Sequence, residues 1–243
     1  MDINQGDGKR ARGDKMEEKK EKIVIVGDGP IAEVAYEYFT YDSPYEVVGF
    51  TVDEAFIRRD MLFGAPIVPF QLVQETHNPD EHKMFVAVGY PKLNRLRARF
   101  FREAKAKGFS LVSYVSPRAF VWRNAEIGEN CFIFENNVIQ PFVKIGNNVT
   151  MWSGNHIGHH SVIKDHCFIS SHVVVSGFVE VGEYCFLGVN ATIADNLKIK
   201  KNCLIGAGAI ILRDTEEAGI YGSQMTKPKE VTTLVRFGIE EDK

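Results

Sequence analysis

An aliphatic residue stands at every sixth position from Val115 to Ile211: Val115, Val121, Ile127, Ile133, Ile139, Ile145, Met151, Ile157, Ile163, Ile169, Val175, Val181, Leu187, Ile193, Ile199, Ile205 and Ile211. A helix repeats its apolar face every 3.6 residues and a strand every 2, so neither holds a sixfold phase over about a hundred residues. Short strands joined by tight turns do, and a fixed period of this kind marks a solenoid. Position i+4 of the repeat is small or compact, as at Ala119, Ala125, Val143, Ser161, Val173 and Ala191. Glycine recurs at i+1, at Gly128, Gly146, Gly158, Gly182, Gly188 and Gly206. That placement predicts a turn residue with positive φ at i+1.

All four cysteines, Cys131, Cys167, Cys185 and Cys203, fall on i+4 of their hexads. They are expected to stack along one side of the solenoid and point inward as small reduced hydrophobes, which fits a cytoplasmic chain. The net charge of -3 gives no electrostatic case for nucleic acid or an anionic membrane. No apolar run approaches the roughly 20 residues of a spanning helix. Residues 1–21 mix both charge signs without an apolar segment and read as a disordered tail.

Ahead of the solenoid, residues 22–112 read as an α/β domain. A buried strand over 22–27 runs into Gly27-Asp28-Gly29-Pro30-Ile31-Ala32 and an amphipathic helix near 33–39. A second strand, 45–52, ends at Asp53. A third, 84–89, leads through Tyr90 and Pro91 to a basic helix over 93–107. Strands alternating with helices imply a small parallel, Rossmann-like sheet, whose ligand sits at the carboxyl ends of the strands. The residues expected there are Gly27, Asp28, Gly29, Pro30, Ile31, Asp53, Gly89, Tyr90 and Asn94. The glycines fit a phosphate at a helix N-terminus or simply a tight strand-to-helix turn. Pro30 removes one amide from that turn, and the sheet is short for a dinucleotide, so a mononucleotide or nucleotide-sugar fits better than NAD.

The pattern Ile-Gly-x-x-small-x resembles the left-handed parallel β-helix of hexapeptide-repeat acyltransferases, in which 18 residues make one triangular coil. The left hand and the 18-residue coil come from that resemblance. Seventeen hexads then make just under six coils over 113–216, with 217–243 as a C-terminal tail. An α/β domain feeding into such a solenoid resembles the nucleotide-sugar acetyltransferases of the sialic acid and bacillosamine type, over residues 22 to about 225. The resemblance implies acetyl-CoA as co-substrate, no metal, and transfer to the 4-amine of a nucleotide-linked 4-amino-4,6-dideoxy sugar. O-acetylation of a sugar hydroxyl, sialic acid included, remains an alternative, as does a non-catalytic binding subunit.

In that family a histidine two places after a solenoid isoleucine, usually within Ile-Glu-His-Asp, is the general base. The matching segment here is Ile157-Gly158-His159-His160, so His159 takes the base position. Gly158 replaces the preceding acid and His160 the following carboxylate. Either another acid orients His159, with Glu135 and Asp195 as candidates, or His160 shares the proton work. Counting by 18 places Gly177 one coil beyond His159, where its amide suits a developing oxyanion. The expected catalytic set is therefore His159, His160 and Gly177. The expected cofactor contacts are Phe168, where the family has a CoA-contacting histidine, with Gly177, Val189, Ala207, Lys198 and Arg213; the lysine fits equally well as a solvated turn residue. The histidines between His156 and His172 fall on different corners and are not expected to converge on a metal.

Position i+5 faces outward. The rows Phe132, Thr150, Phe168, Phe186, Leu204 and Phe120, Val138, His156, Val174, Thr192, Ile210 are apolar, whereas Glu126, Lys144, Val162, Glu180, Lys198 is polar. Apolar strips of that length are a solubility liability unless covered. They predict a homotrimer of parallel prisms with the catalytic sites at subunit clefts.

Overall fold

The computed structural model describes residues 21–224 and 231–238; the expected tail over 1–20 lies outside the described residues. The chain starts with β1 (Glu21–Val26), α1 (Pro30–Tyr41), β2 (Tyr45–Val52), β3 (Met61–Leu62), β4 (Ala65–Pro69), α2 (Val73–Thr76), β5 (His82–Val86) and α3 (Arg95–Ala106). The sheet order is β3-β4-β2-β1-β5. β1, β2, β4 and β5 run parallel, and β3 closes the edge as an antiparallel hairpin onto β4. The sheet is thus mixed and holds two strands that the sequence reading left out. Pro66 and Pro69 read as breakers, yet they lie in an edge strand, where a missing N–H costs no ladder bond. Helix α1 begins at Pro30, earlier than expected, because proline at the first helical position has its φ preset.

The seventeen hexads form seventeen two-residue strands, from Tyr114–Val115 through Ile210–Ile211. Each pairs in parallel with the strand 18 residues away, as Val138 with His156 and Ile139 with Ile157. Three walls result, and the chain is an α/β domain followed by a left-handed parallel β-helix. The aliphatic register residues and all four cysteines fill one continuous core. Each cysteine is free and buried. The Cys167 thiol donates to the Gly182 carbonyl at 3.1 Å. Ile220–Tyr221 adds a further strand onto Leu204–Ile205, so the solenoid runs past residue 216 into the expected tail. The sixfold register could not show it, because the segment between Ile211 and Ile220 is longer than one hexad.

The glycines at i+1 serve a different purpose from the one expected. None of Gly128, Gly146, Gly158, Gly182, Gly188 and Gly206 has positive φ. A Cβ on Gly158 would lie 2.5 Å from Gly177 N, and one on Gly182 would lie 2.6 Å from Lys201 N. Stacked coils approach too closely there for any side chain. Positive φ falls instead at i+3, on Asn130, Asn136, Phe142, Asn148, His160, His166, Phe178, Tyr184 and Asn190 among others. Asparagine visits this region readily, but an aromatic residue there costs about 1–2 kcal/mol.

The α/β domain lies across the first wall of the solenoid. Phe132 and Phe134 share a core cluster with Ile23, Phe39 and Phe85. Tyr38 packs edge-on against Phe134 with ring centroids 5.0 Å apart. Tyr90 covers Phe168 and Phe186 at 4.9 and 5.0 Å. The Phe132 row is therefore covered by the same chain, and a partner is not needed for it. The Phe120 row remains open, with Phe120 51%, Val174 38% and Ile210 68% exposed.

Two substitutions separate close approach from turn conformation. Gly146→Ala places a Cβ 2.8 Å from Asp165 N and is expected to lower unfolding free energy by roughly 1–3 kcal/mol. Asn190→Gly, at φ 58°, is expected to stay within about 0.5 kcal/mol of the parent. Urea denaturation of the two variants checks both.

Candidate active site

The carboxyl ends of β1, β2 and β5 open into a pocket of about 340 Å³ whose walls include Gly27, Asp28, Gly29, Pro30, Ile31, Asp53 and Gly89. Gly27 has φ 120°, and a Cβ there would meet the Ala87 carbonyl at 2.8 Å, so only glycine lets β1 turn into α1 this close to β5. Among the described residues no acceptor faces the amides of Asp28 and Gly29, as an anion site at a helix start requires. Asp53 accepts from Arg99 at 2.5 Å, and this bond raises the affinity of the guanidinium for its proton. Arg59 donates to the Asp28 carbonyl and pairs with Glu33 at 3.5 Å, lying over the mouth of the turn. The sequence reading missed Phe56, Leu96 and Phe100, which make the pocket apolar on its outer side. The i, i+4 pair Leu96 and Phe100 on the basic helix was the available signal.

Tyr90 and Asn94 do not line this pocket. Tyr90 borders a second cavity of about 440 Å³, described below. Asn94 is buried, with φ 61°, and donates to the His166 carbonyl at 2.7 Å, fixing α3 to the solenoid. Next to it Arg97 is buried without a carboxylate partner. It donates to the carbonyls of Val86 and Asn130, and burial lowers its pKa to about 10. Asn130 in turn accepts from Val86 N at 2.7 Å, so the strand end that carries Gly89 is tied to the first coil.

The second cavity is a groove along the first wall. Ile31 and Gly89 border it as well as the pocket, so the two spaces are continuous. Its floor and far end bring together Phe168, Val189 and Ala207 of the expected cofactor contacts, with Trp152, Ser170 and Ser171 in addition. Gly177, Lys198 and Arg213 lie elsewhere: Gly177 beside His159, Lys198 on the polar wall and Arg213 on the corner column of His159.

His159 and His160 are exposed on the turn that joins His156–Ile157 to Val162–Ile163. The His159 ring rests on Gly177: a Cβ there would come within 2.9 Å of Cε1 and 3.0 Å of Nε2. The backbone N–H of His159 donates to Gln140 Oε1 at 2.9 Å. Its Nδ1 lies 3.2 Å from His160 Nδ1. Neither candidate carboxylate orients it. Glu135 accepts from Tyr38 and Ser153 at 2.9 and 2.6 Å, and Asp195 accepts from Asn196 at 2.6 Å. An acid at 158, as in the family motif, would collide with the next coil.

The groove and the His159 turn occupy different corners, with the open Phe120 wall between them. The other histidines disperse as well, and among the described residues no three His, Cys, Asp or Glu side chains gather at a metal-binding distance. No described helix is long and apolar enough to cross a membrane. Burial pushes the Cys131 thiol up to about 11 and the Cys167 thiol well above its usual value, so neither is a ready thiolate.

The family described as bacterial transferase hexapeptide (six repeats) matches residues 124–159. The chain has the fold of the hexapeptide-repeat acetyltransferases. PerB from Caulobacter crescentus, in complex with CoA and GDP-perosamine, is similar at 27% identity and TM-score 0.75, over 83% of this chain and 94% of that one. A mutant of perosamine N-acetyltransferase from the same organism gives 27% and 0.75 over 83% and 93%. The acetyltransferase domain of PglB from Neisseria gonorrhoeae FA1090 gives 24% and 0.74 over 86% and 100%, a likeness of fold. No curated protein matches the chain.

His166 supplies a pH test of the domain junction. Burial is the main cause that lowers its pKa to about 4, from 6.5 in an unfolded chain. Above pH 6.5 both states are neutral. Between 6.5 and 4 the unfolded state binds the proton first, so stability is lost as pH falls. The loss approaches about 3 kcal/mol at pH 4. His166→Asn, which suits positive φ as Asn148 does one coil earlier, is expected to flatten the dependence of Tm on pH across this window.

Proposed function

We propose that this chain is an acetyl-CoA-dependent N-acetyltransferase acting on the amine of a nucleotide-linked amino sugar, the 4-amine of a 4-amino-4,6-dideoxy sugar in particular. The observation that carries this reading is the continuity of the two cavities through Ile31 and Gly89. A nucleotide at the ends of β1, β2 and β5 would send its sugar toward the groove. The CoA arm would run along the groove toward Val189 and Ala207. The likeness to PerB, bound to CoA and GDP-perosamine, supports both assignments.

In this reading Asp28 and Gly29 hold the diphosphate through their amides, and Gly27, Ile31, Asp53 and Gly89 shape the pocket. His159 Nε2 removes a proton as the amine attacks the thioester carbonyl. The Gly177 amide steadies the oxyanion, a contribution that preorganised donors make most strongly where water is excluded. Because groove and base lie on different corners of one prism, His159 of one copy serves the groove of the next. The exposed Phe120 row is the contact face of a homotrimer, and the reduced buried thiols fit a cytoplasmic enzyme.

Release of free thiol from acetyl-CoA, screened against nucleotide-linked amino sugars and sialic acid, tests the activity. Turnover with an amino sugar is expected; turnover with sialic acid alone would replace N- by O-transfer, and silence across the panel would leave a binding subunit. His159→Ala is expected to cost about 10² to 10⁴ in kcat. Gly177→Ala, which displaces the His159 ring, is expected to lower kcat more than it raises KM. Sedimentation equilibrium should give three times the chain mass, and Val174→Glu should give the single chain.

A further inference from the structure

The His160 ring is held between two phenyl rings. Phe142, one coil before, stacks on it with centroids 4.6 Å apart and planes 25° apart. Phe178, one coil after, stacks at 4.8 Å and 15°. All three residues take positive φ, at 63°, 60° and 57°. At the following coil of the same corner the position is Asn196, the residue type that enters this region most readily. Three consecutive aromatic rings in an unfavourable conformation therefore need a reason beyond the turn itself. Phe142 and Phe178 are 54% and 52% exposed, so core packing does not supply it.

The contact to His159 supplies one. Two Nδ1 atoms at 3.2 Å make a hydrogen bond only if one carries a proton and the other a lone pair. If His159 donates, its Nε2 is left bare, beside Gly177, as a base requires. His160 then accepts at Nδ1 and keeps its own proton on Nε2. The rings facing His160 are His159, Phe142 and Phe178, and the charged groups of the neighbouring corner column are Arg123, Asp195 and Arg213.

We propose that His160, clamped between Phe142 and Phe178, orients His159 through the Nδ1 pair and takes up its Nδ1 proton during acetyl transfer. This rests on the transfer reading above. The amine lone pair forms the N–C bond, the C–S bond breaks, and the CoA thiolate leaves with the electron pair. The amine proton goes to His159 Nε2 as the Nδ1 proton of His159 passes to His160. The imidazolium then lies on His160 with a π face on either side, within the distance at which cations are attracted to aromatic faces. His159 next protonates the thiolate from Nε2 and regains its Nδ1 proton, so the dyad ends as it began. A neutral ring thus does what a carboxylate does elsewhere, because the phenyl faces compensate its charge. His160 is a positioning residue, acting on substrate only through His159.

Chemical rescue tests this. His160→Gly suits positive φ and leaves a slot the size of an imidazole between the two phenyl rings. Its kcat should fall about 10²-fold, with KM for acetyl-CoA and the sugar changed less than about threefold. Added imidazole should restore at least tenfold with saturation, pyrrole should restore nothing, and Phe178→Leu in the same background should abolish the saturation. Retention of near-parent turnover by His160→Gly, or rescue failing in a protein with unchanged circular dichroism, overturns the proposal. A second measurement does not depend on activity. In the free protein, ¹⁵N shifts of labelled histidines should show His159 protonated at Nδ1 and His160 bare at Nδ1. Finding both rings bare at Nδ1 would end the relay even in an active enzyme, whereas absent turnover with the expected shifts would count against the transfer reading alone.

Discussion

Parallel backbone pairing between residues 18 apart is the constraint on which the rest of this molecule depends. It forces every coil to copy the last, since a strand of two residues has few bonds and must be matched by identical geometry above and below. The aliphatic register residues fill the interior because each points inward at the same phase. Glycine at i+1 follows from the same repeat, for at that point the backbone of the next coil leaves no room for a Cβ. Turns with positive φ at i+3 complete the unit, and the residues placed there, asparagine or aromatic, form columns along each corner.

Those columns turn a structural repeat into chemistry. One holds Phe142, His160 and Phe178, and the adjacent one holds Pro141, His159 and Gly177. The site therefore inherits its spacing from the backbone ladder, and a small change such as a Cβ on Gly177 acts directly on the base. The α/β domain uses the first wall in a different way. Its aromatic side chains seal the Phe132 row, while Asn94, Arg97 and Asn130 fix the pocket to the first coils. Burying Arg97 without a carboxylate is costly, and three carbonyl acceptors offset part of that cost.

The strand count of the solenoid, the inward cysteines, and the proximity of His159 to Gly177 were legible from periodicity, because each depends only on counting by six or by 18. The residues at the ends of β1, β2 and β5 were legible because short apolar strands and glycine turns announce themselves. Phe56, Leu96 and Phe100 were not, since which face of the loop and of α3 meets the pocket is set by how the helix packs. The edge strands around Pro66 and Pro69 escaped for a similar reason: proline is excluded from strands only where its missing N–H is needed.

The sequence by itself determined the solenoid, its three walls and the corner of every residue, because a strict period leaves the backbone one way to stack. Only the tertiary structure decided which apolar wall stays open, since covering the Phe132 row depends on where α1 and Tyr90 come to rest. It also decided how His159 is held. The motif called for a carboxylate, and distance and ring orientation place a histidine between two phenyl faces there instead.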